Sequence, residues 1–202
     1  MASIFSSIPP SESDRLLRSW GYDLTGEYEQ IVGKTDLPPQ ATVLELATGT
    51  GRMTSVLTRL GFHVVTGDLE LGQRHRAEER ITNAYLPLVQ FLRLNVESLP
   101  FQDHSIPFLV CMNTLHELAN PQKAFSELIR VHDPRGVLII GDFNETGFGV
   151  MERLHQVVYA GHHSLGTMPM KEIEPTLQSR YQYIRSIETP LNISFVASGA
   201  LT

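Results

Sequence analysis

Short, almost unbroken apolar runs recur along this chain, and each is followed by a segment of helical character. The runs are Thr42-Val43-Leu44-Glu45-Leu46, Phe62-His63-Val64-Val65-Thr66, Val89-Gln90-Phe91-Leu92-Arg93-Leu94, Phe108-Leu109-Val110-Cys111-Met112 and Gly136-Val137-Leu138-Ile139-Ile140. Residues 53–60 place Val56, Leu57 and Leu60 on one helical face, and 73–85 and 122–131 also read as helices. Strands apolar on both faces need cover on both faces, and strand–helix alternation sets neighbouring strands parallel. The expected fold is α/β, a mostly parallel sheet with helices on both sides. After Phe148 a longer helix is expected to about Gly161, with the stripe Val150, Leu154, Val157 and Gly161 facing the sheet. A helical turn over 171–177 and an antiparallel pair, 181–188 and 191–198, complete seven strands. Ahead of the first strand, residues 14–32 are helical with a break near Gly21, and Pro38-Pro39 marks a connector.

A length of 202 residues fits one domain. The charge balance of 16 basic against 22 acidic residues, net −6, argues against a duplex-coating nucleic-acid binder, which needs massed Lys and Arg. One cysteine forms no intrachain disulfide. No apolar run reaches the roughly 18 residues of a membrane span. The first residues lack a basic region and an apolar stretch, so a cytoplasmic protein without a secretory signal is expected. A small-molecule partner suits this profile better than a polymer.

The first strand runs directly into Glu45-Leu46-Ala47-Thr48-Gly49-Thr50-Gly51. Glycines allow a sharp turn and a close backbone approach to a ligand, and the loop opens a helix whose N–H groups favour negative charge. The dinucleotide fingerprint G-x-G-x-x-G fails, because its third glycine position holds Thr54. Glu45 would repel a pyrophosphate but suits the ammonium group of a zwitterion. Asp68 closes the second strand, where a carboxylate can accept from both ribose hydroxyls, and Asn95 follows the third, where an amide can meet an adenine edge.

These motifs resemble a class I S-adenosylmethionine-dependent methyltransferase, near the ubiquinone/menaquinone-biosynthesis C-methyltransferases. The resemblance rests on Glu45-x-Ala47-x-Gly49-x-Gly51, Gly67-Asp68-Leu69, Asn95-Val96-Glu97-Ser98-Leu99-Pro100-Phe101 and Arg130-Val131-x-x-Pro134, four motifs in order. It implies a Rossmann-like sheet of order 3-2-1-4-5-7-6 with strand 7 antiparallel, and S-adenosylmethionine as cofactor. By position, Gly49 and Gly51, with Ala47 and Thr48 in the same loop, would run under the methionine part, and Glu45 would anchor it. Asp68 would hold the ribose, Leu69 would pack on the adenine, and Asn95 with the Val96 amide would read its edge. Asn113 and Thr114 would line the methionine side. The sequence departs from the group at Asn95, where Asp is usual, at Ile106-Pro107 in place of Phe-Asp, and at Pro134-Arg135-Gly136 in place of Pro-Gly-Gly.

The expected organisation is a single methyltransferase domain. Residues 1–35 form an N-terminal helical lid, 41–144 the cofactor-binding core, 145–180 an acceptor-side helical segment and 181–199 a terminal hairpin. His116, just past the fourth strand, is the candidate general base. Trp20, Tyr22 and Tyr28 on the lid, and His155 and Tyr159 on the later helix, are candidate acceptor contacts. No metal site is expected, since the sequence lacks His-Glu-x-x-His and any cysteine pair. The lid segments are short, which suits a small-molecule acceptor or a pocket completed by a second subunit in a homodimer. Rival readings on the same fold are an aminopropyltransferase and a cofactor-binding sensor without catalysis.

Overall fold

Leu44, in the middle of β1 (Thr42–Leu46), pairs with Val65 of β2 (His63–Asp68) on one side and with Leu109 of β4 (Ile106–Met112) on the other. Both pairings are parallel, so β1 is an interior strand, and its apolar sequence follows from cover on both faces. In the computed structural model, which describes residues 4–201 apart from 71, 73, 165, 167 and the side chain of Tyr159, the described strands form one sheet. Its order is β3-β2-β1-β4-β5-β7-β6. β3 (Val89–Arg93) and β5 (His132–Phe143) join in parallel, whereas β7 (Asn192–Ala200) runs antiparallel to both β5 and β6 (Tyr181–Glu188). This is the architecture and strand order expected from the sequence.

Two apolar layers cover the sheet. One gathers Tyr28 and Ile31 of α2 (Leu24–Val32) with Met53, Val56 and Leu57 of α3 (Arg52–Arg59) against Val43, Val64 and Val110. The other packs Phe125, Leu128 and Val131 of α5 (Pro121–Val131) with Leu177 of α7 (Glu174–Gln178) over Leu44, Leu109 and Leu138. Cys111 lies in this second layer as a buried small hydrophobe.

Several boundaries differ from expectation. α4 (Arg74–Ile81) stops before Thr82, whose φ of 70° ends the helix four residues early. β5 is longer than 136–140 at both ends. Toward its start it continues through Asp133-Pro134-Arg135, where the pairing with β4 shifts register and the proline loses no needed hydrogen bond. At its other end Asp142 and Phe143 join the strand. α6 (Glu145–Tyr159) begins before Phe148, because the Asn144 side chain accepts the Gly147 N–H and caps it. Gly147 is required there, since a Cβ would stand 2.1 Å from the Leu191 carbonyl oxygen.

The buried face of α6 is also corrected. Val157 is 62% exposed, while Met151 and Leu154 are buried. The helix packs against Leu17 of α1 (Glu12–Ser19), Leu24 and Leu191 rather than laying its expected stripe on the sheet. That rotation turns Met151, Leu154, His155 and Val158 toward the open carboxyl ends of β1, β2 and β4.

Candidate functional site

At the end of β1 the backbone reverses through residues with positive φ: Ala47 at 64°, Gly49 at 49° and Gly51 at 73°. The Ala47 and Thr48 N–H groups donate to the Gly67 carbonyl at 2.8 and 3.3 Å, which ties the loop to the end of β2. The two glycines have different reasons. A Cβ on Gly51 would come within 2.9 Å of the Ala77 backbone, so this glycine permits α3 to start against α4. A Cβ on Gly49 would meet nothing within 4 Å, because this stretch of backbone lies bare at a cavity wall.

Two carboxylates flank the bare loop. Asp68 accepts from the Gly49 N–H at 3.0 Å and the Leu69 N–H at 2.9 Å, so the loop amides hold its orientation. Glu45 is buried and accepts from the Thr54 hydroxyl. Burial pushes its pKa up to about 7, more than the Thr54 and Thr66 hydroxyls bring it down. A cation beside it would restore its charge.

Both groups face a cavity of about 630 Å³ at the carboxyl ends of the strands, the usual ligand position in open α/β sheets. Asn113, just past β4, donates from Nδ2 to the Tyr28 hydroxyl at 2.9 Å. Its Oδ1 is buried without a protein partner, an acceptor aimed at whatever fills the cavity. Burial raises the Tyr28 phenol to about 12, so it serves as a neutral hydroxyl. Thr114 is buried and donates to the Met112 carbonyl at 3.0 Å.

A buried charge cluster that the sequence reading missed closes one wall. Asp14 pairs with Arg52 at 2.7 Å and with Arg80 at 2.8 Å. Asp14 is buried, which opposes ionisation, yet the two guanidiniums hold its carboxyl far below the usual range. Burial lowers Arg80 to about 10. Two cations against one anion leave this three-residue cluster with a net positive charge. The three residues come from α1, α3 and α4, and no local spacing links them.

The other end of the cavity is apolar and histidine-rich, with Leu17, Leu24, Phe143, Met151, Leu154 and Val158 around His116, His155 and His163. His116 is buried, and its Nδ1 lies 2.6 Å from Asp142 Oδ1. Burial alone would lower the His116 pKa, but the hydrogen bonds and charges of Asp142 and Glu117 outweigh it and raise it to about 9. Asp142 became visible only once β5 proved longer than its apolar run.

The structure thus gathers Glu45, Ala47, Thr48, Gly49, Asp68, Asn113, Thr114, His116, Tyr28 and His155 around one cavity. Gly51 caps α3 behind it. Leu69, 52% exposed, and Asn95 and Val96 lie outside its lining. The Asn95 side-chain Oδ1 is already engaged by the Glu97 N–H at 2.9 Å. Trp20 and Tyr22 do not line it; both pack beside α6, and the Arg153 guanidinium stacks 3.9 Å from the Trp20 ring centroid. The Tyr159 side chain falls outside the described residues.

Residues 44–140 match a methyltransferase-domain family model. The chain is 29% identical to the demethylmenaquinone methyltransferase of Renibacterium salmoninarum over 59% of its own length and 48% of that protein. It is 27% identical to the ubiquinone/menaquinone biosynthesis C-methyltransferase UbiE of Cronobacter sakazakii over 59% of its length and 49% of the relative. The chain thus spans about half the length of these curated relatives. A crystal structure of a SAM-dependent methyltransferase from Aquifex aeolicus superposes over 93% of this chain and 98% of that one, with a TM-score of 0.62 at 20% identity.

Proposed function

Because residues 44–140 match a methyltransferase domain and the chain is similar to UbiE-type methyltransferases, we propose that it is a class I S-adenosylmethionine-dependent methyltransferase that transfers a methyl group to a small-molecule acceptor. The observation that carries the reading is the conjunction at one cavity of Gly49, open to the space a ligand would fill, with the Glu45 and Asp68 carboxylates and the unpartnered Asn113 Oδ1. These residues fit the family's cofactor. Asp68 would hold its ribose, Glu45 and Asn113 its ammonium group, and the net positive Arg52–Asp14–Arg80 cluster suits its carboxylate. When bound, the cofactor supplies an already activated methyl group, so the protein needs little covalent chemistry of its own.

The remaining work belongs to the chain. Its apolar residues exclude water from the acceptor end, and its walls hold the acceptor in line for attack. His116 presents Nε2 to that end, while Asp142 fixes the ring from Nδ1. As imidazolium it donates to an acceptor oxygen, and as imidazole it takes that oxygen's proton. Phe143, Met151, Leu154 and Val158 suit a flat, mostly apolar acceptor bearing an ionisable oxygen. The proposal includes a cytoplasmic location, which a lone buried cysteine fits, and the lid and acceptor segments as parts of one domain. Among the described residues, no helix is long and apolar enough to cross a membrane.

Calorimetry with S-adenosylmethionine and S-adenosylhomocysteine, followed by labelled-methyl transfer to a panel of hydroxylated aromatic acceptors, tests this. Tight binding with transfer supports it. Preference for the decarboxylated cofactor would indicate aminopropyl transfer, and binding with no transfer to any acceptor would indicate a sensor. Failure of either ligand to bind overturns the reading.

A further inference from the structure

His116 and His163 come from separate loops, yet both are buried, and neither Nε2 of His116 nor Nδ1 of His163 has a hydrogen-bond partner within 3.5 Å. Buried polar atoms in native proteins are nearly always satisfied, so two such nitrogens in one place ask for a third party. Glu117 supplies a carboxylate beside them, with Oε1 3.6 Å from His116 Nε2. One donor atom from each of the three residues falls within 4.8 Å of the others. We propose that His116 Nε2, His163 Nδ1 and a Glu117 carboxylate oxygen form a binding site for a divalent transition-metal ion of the Zn²⁺ class, at the acceptor end of the cavity.

The surroundings are built as such sites are. A metal-bound imidazole normally donates its other N–H to a carboxylate, which fixes the tautomer and ring orientation. His116 does this through Nδ1 to Asp142 at 2.6 Å, and its own backbone N–H donates to the other Asp142 oxygen at 3.0 Å. His163 is held from the opposite side. Its backbone N–H donates to Glu152 at 2.7 Å, and the neighbouring Ser164 hydroxyl donates to the His116 carbonyl at 2.7 Å. The Phe143 and Phe148 rings lie 5.4 and 5.5 Å from the His116 ring and restrict its movement. Two imidazoles and one carboxylate suit zinc, cobalt or iron better than magnesium or calcium, which favour oxygen alone. Three protein ligands leave coordination positions free, as in catalytic rather than structural sites. All three residues line the cavity, so a free position faces it and can hold an oxygen of the acceptor. The site stands independently of methyl transfer, since metal binding is measured without cofactor or acceptor; a bound ion would occupy Nε2 and would take over from the His116 proton the polarising of the acceptor oxygen.

The test is titration of the full-length chain with Co²⁺ alone, read by its visible ligand-field absorption, followed by displacement with Zn²⁺. One Co²⁺ per chain, with bands of low coordination number and loss of signal on adding Zn²⁺, is expected. Glu117→Gln, an exposed position, and His163→Ala should each weaken binding by about tenfold or more, and Asp142→Asn by about 10- to 100-fold. His75→Ala, at an exposed histidine on α4, should leave it unchanged. Imidazole ¹⁵N shifts on adding Zn²⁺ should single out His116 Nε2 and His163 Nδ1, a readout that a general loss of folding does not reproduce. Binding equally tight in Glu117→Gln and His163→Ala, or ¹⁵N shifts confined to other histidines, overturns the proposal.

Discussion

Asp142 grips His116 with both carboxylate oxygens, Oδ1 against the imidazole Nδ1 at 2.6 Å and Oδ2 against the backbone N–H at 3.0 Å. Because Asp142 belongs to β5 and His116 to the turn after β4, the pair locks two strand ends together where the acceptor is expected to sit. Asp142→Asn keeps the shape and removes the charge. Turnover should fall by about 100-fold, the lower end of what a positioned acid or base contributes, with S-adenosylhomocysteine affinity unchanged. Steady-state rates beside calorimetry measure the split, and equal losses in both would mean that Asp142 supports the whole cavity instead.

Asp68→Ala should weaken S-adenosylhomocysteine binding by about 1–3 kcal/mol through unpaired ribose hydroxyls. The Gly49 and Leu69 amides lose an acceptor in the same variant but can turn to water. Calorimetry at constant temperature checks it, and unchanged affinity removes Asp68 from the ribose site.

The pair Gly49→Ala and Gly51→Ala should separate binding from folding. At Gly49 the added methyl meets only open cavity, so the stability cost is confined to backbone strain of about 1–2 kcal/mol, while cofactor affinity falls steeply. At Gly51 the methyl presses on the Ala77 backbone, and the fold itself should suffer. Melting temperatures and binding isotherms of the two proteins, run side by side, give the comparison. Equal loss of stability at both positions would contradict the distinction.

With Glu45 assigned, as proposed, to the cofactor's ammonium group, cofactor affinity is expected to depend on pH. Its folded pKa, raised to about 7 by burial, lies above its unfolded value, so its contribution to folding is full below the unfolded pKa and is lost as pH rises through about 7. Binding runs in the other direction, because an ammonium group needs the carboxylate. Affinity for S-adenosylhomocysteine should therefore drop as pH falls below about 7, and Glu45→Gln should flatten that dependence. A profile in the variant that matches the wild type would show another group to be responsible.

Asp14 acts in the opposite sense. Its depressed pKa means stability that is present above the unfolded carboxylate value and lost as pH falls through the acid range. Asp14→Ala would strand Arg52 and Arg80 in a buried wall, at a cost of about 3–5 kcal/mol. Denaturant melts at neutral and acid pH check both statements, and the acid sensitivity should be smaller in the variant.

Much of the loop-lined side of the cavity was legible in the chain, because its parts are local. A strand, a glycine turn and a helix start follow one another between Thr42 and Arg52, and strand-end positions such as Asp68 and Asn113 are set by where the apolar runs stop. Even here Leu69, exposed after β2, lies outside the cavity lining, as do Asn95 and Val96, where the loop after β3 folds on itself through the Asn95–Glu97 turn. The face of α6 was misread for a related reason. Helical spacing shows that a stripe exists, but the partners that bury it, here α1 together with Phe143 at the end of β5, are a choice made in three dimensions.

By itself the sequence determined the α/β class, the strand and helix succession and the glycine loop, because apolar periodicity and backbone freedom are written residue by residue. Only the tertiary structure decided the groupings whose members are distant in the chain: Asp14 with Arg52 and Arg80, Tyr28 with Asn113, Asp142 with His116, and the adjacent His116 and Glu117 with His163. Their energies come from burial and charge at short distance. Both are properties of packed elements, and no spacing along the chain reports them.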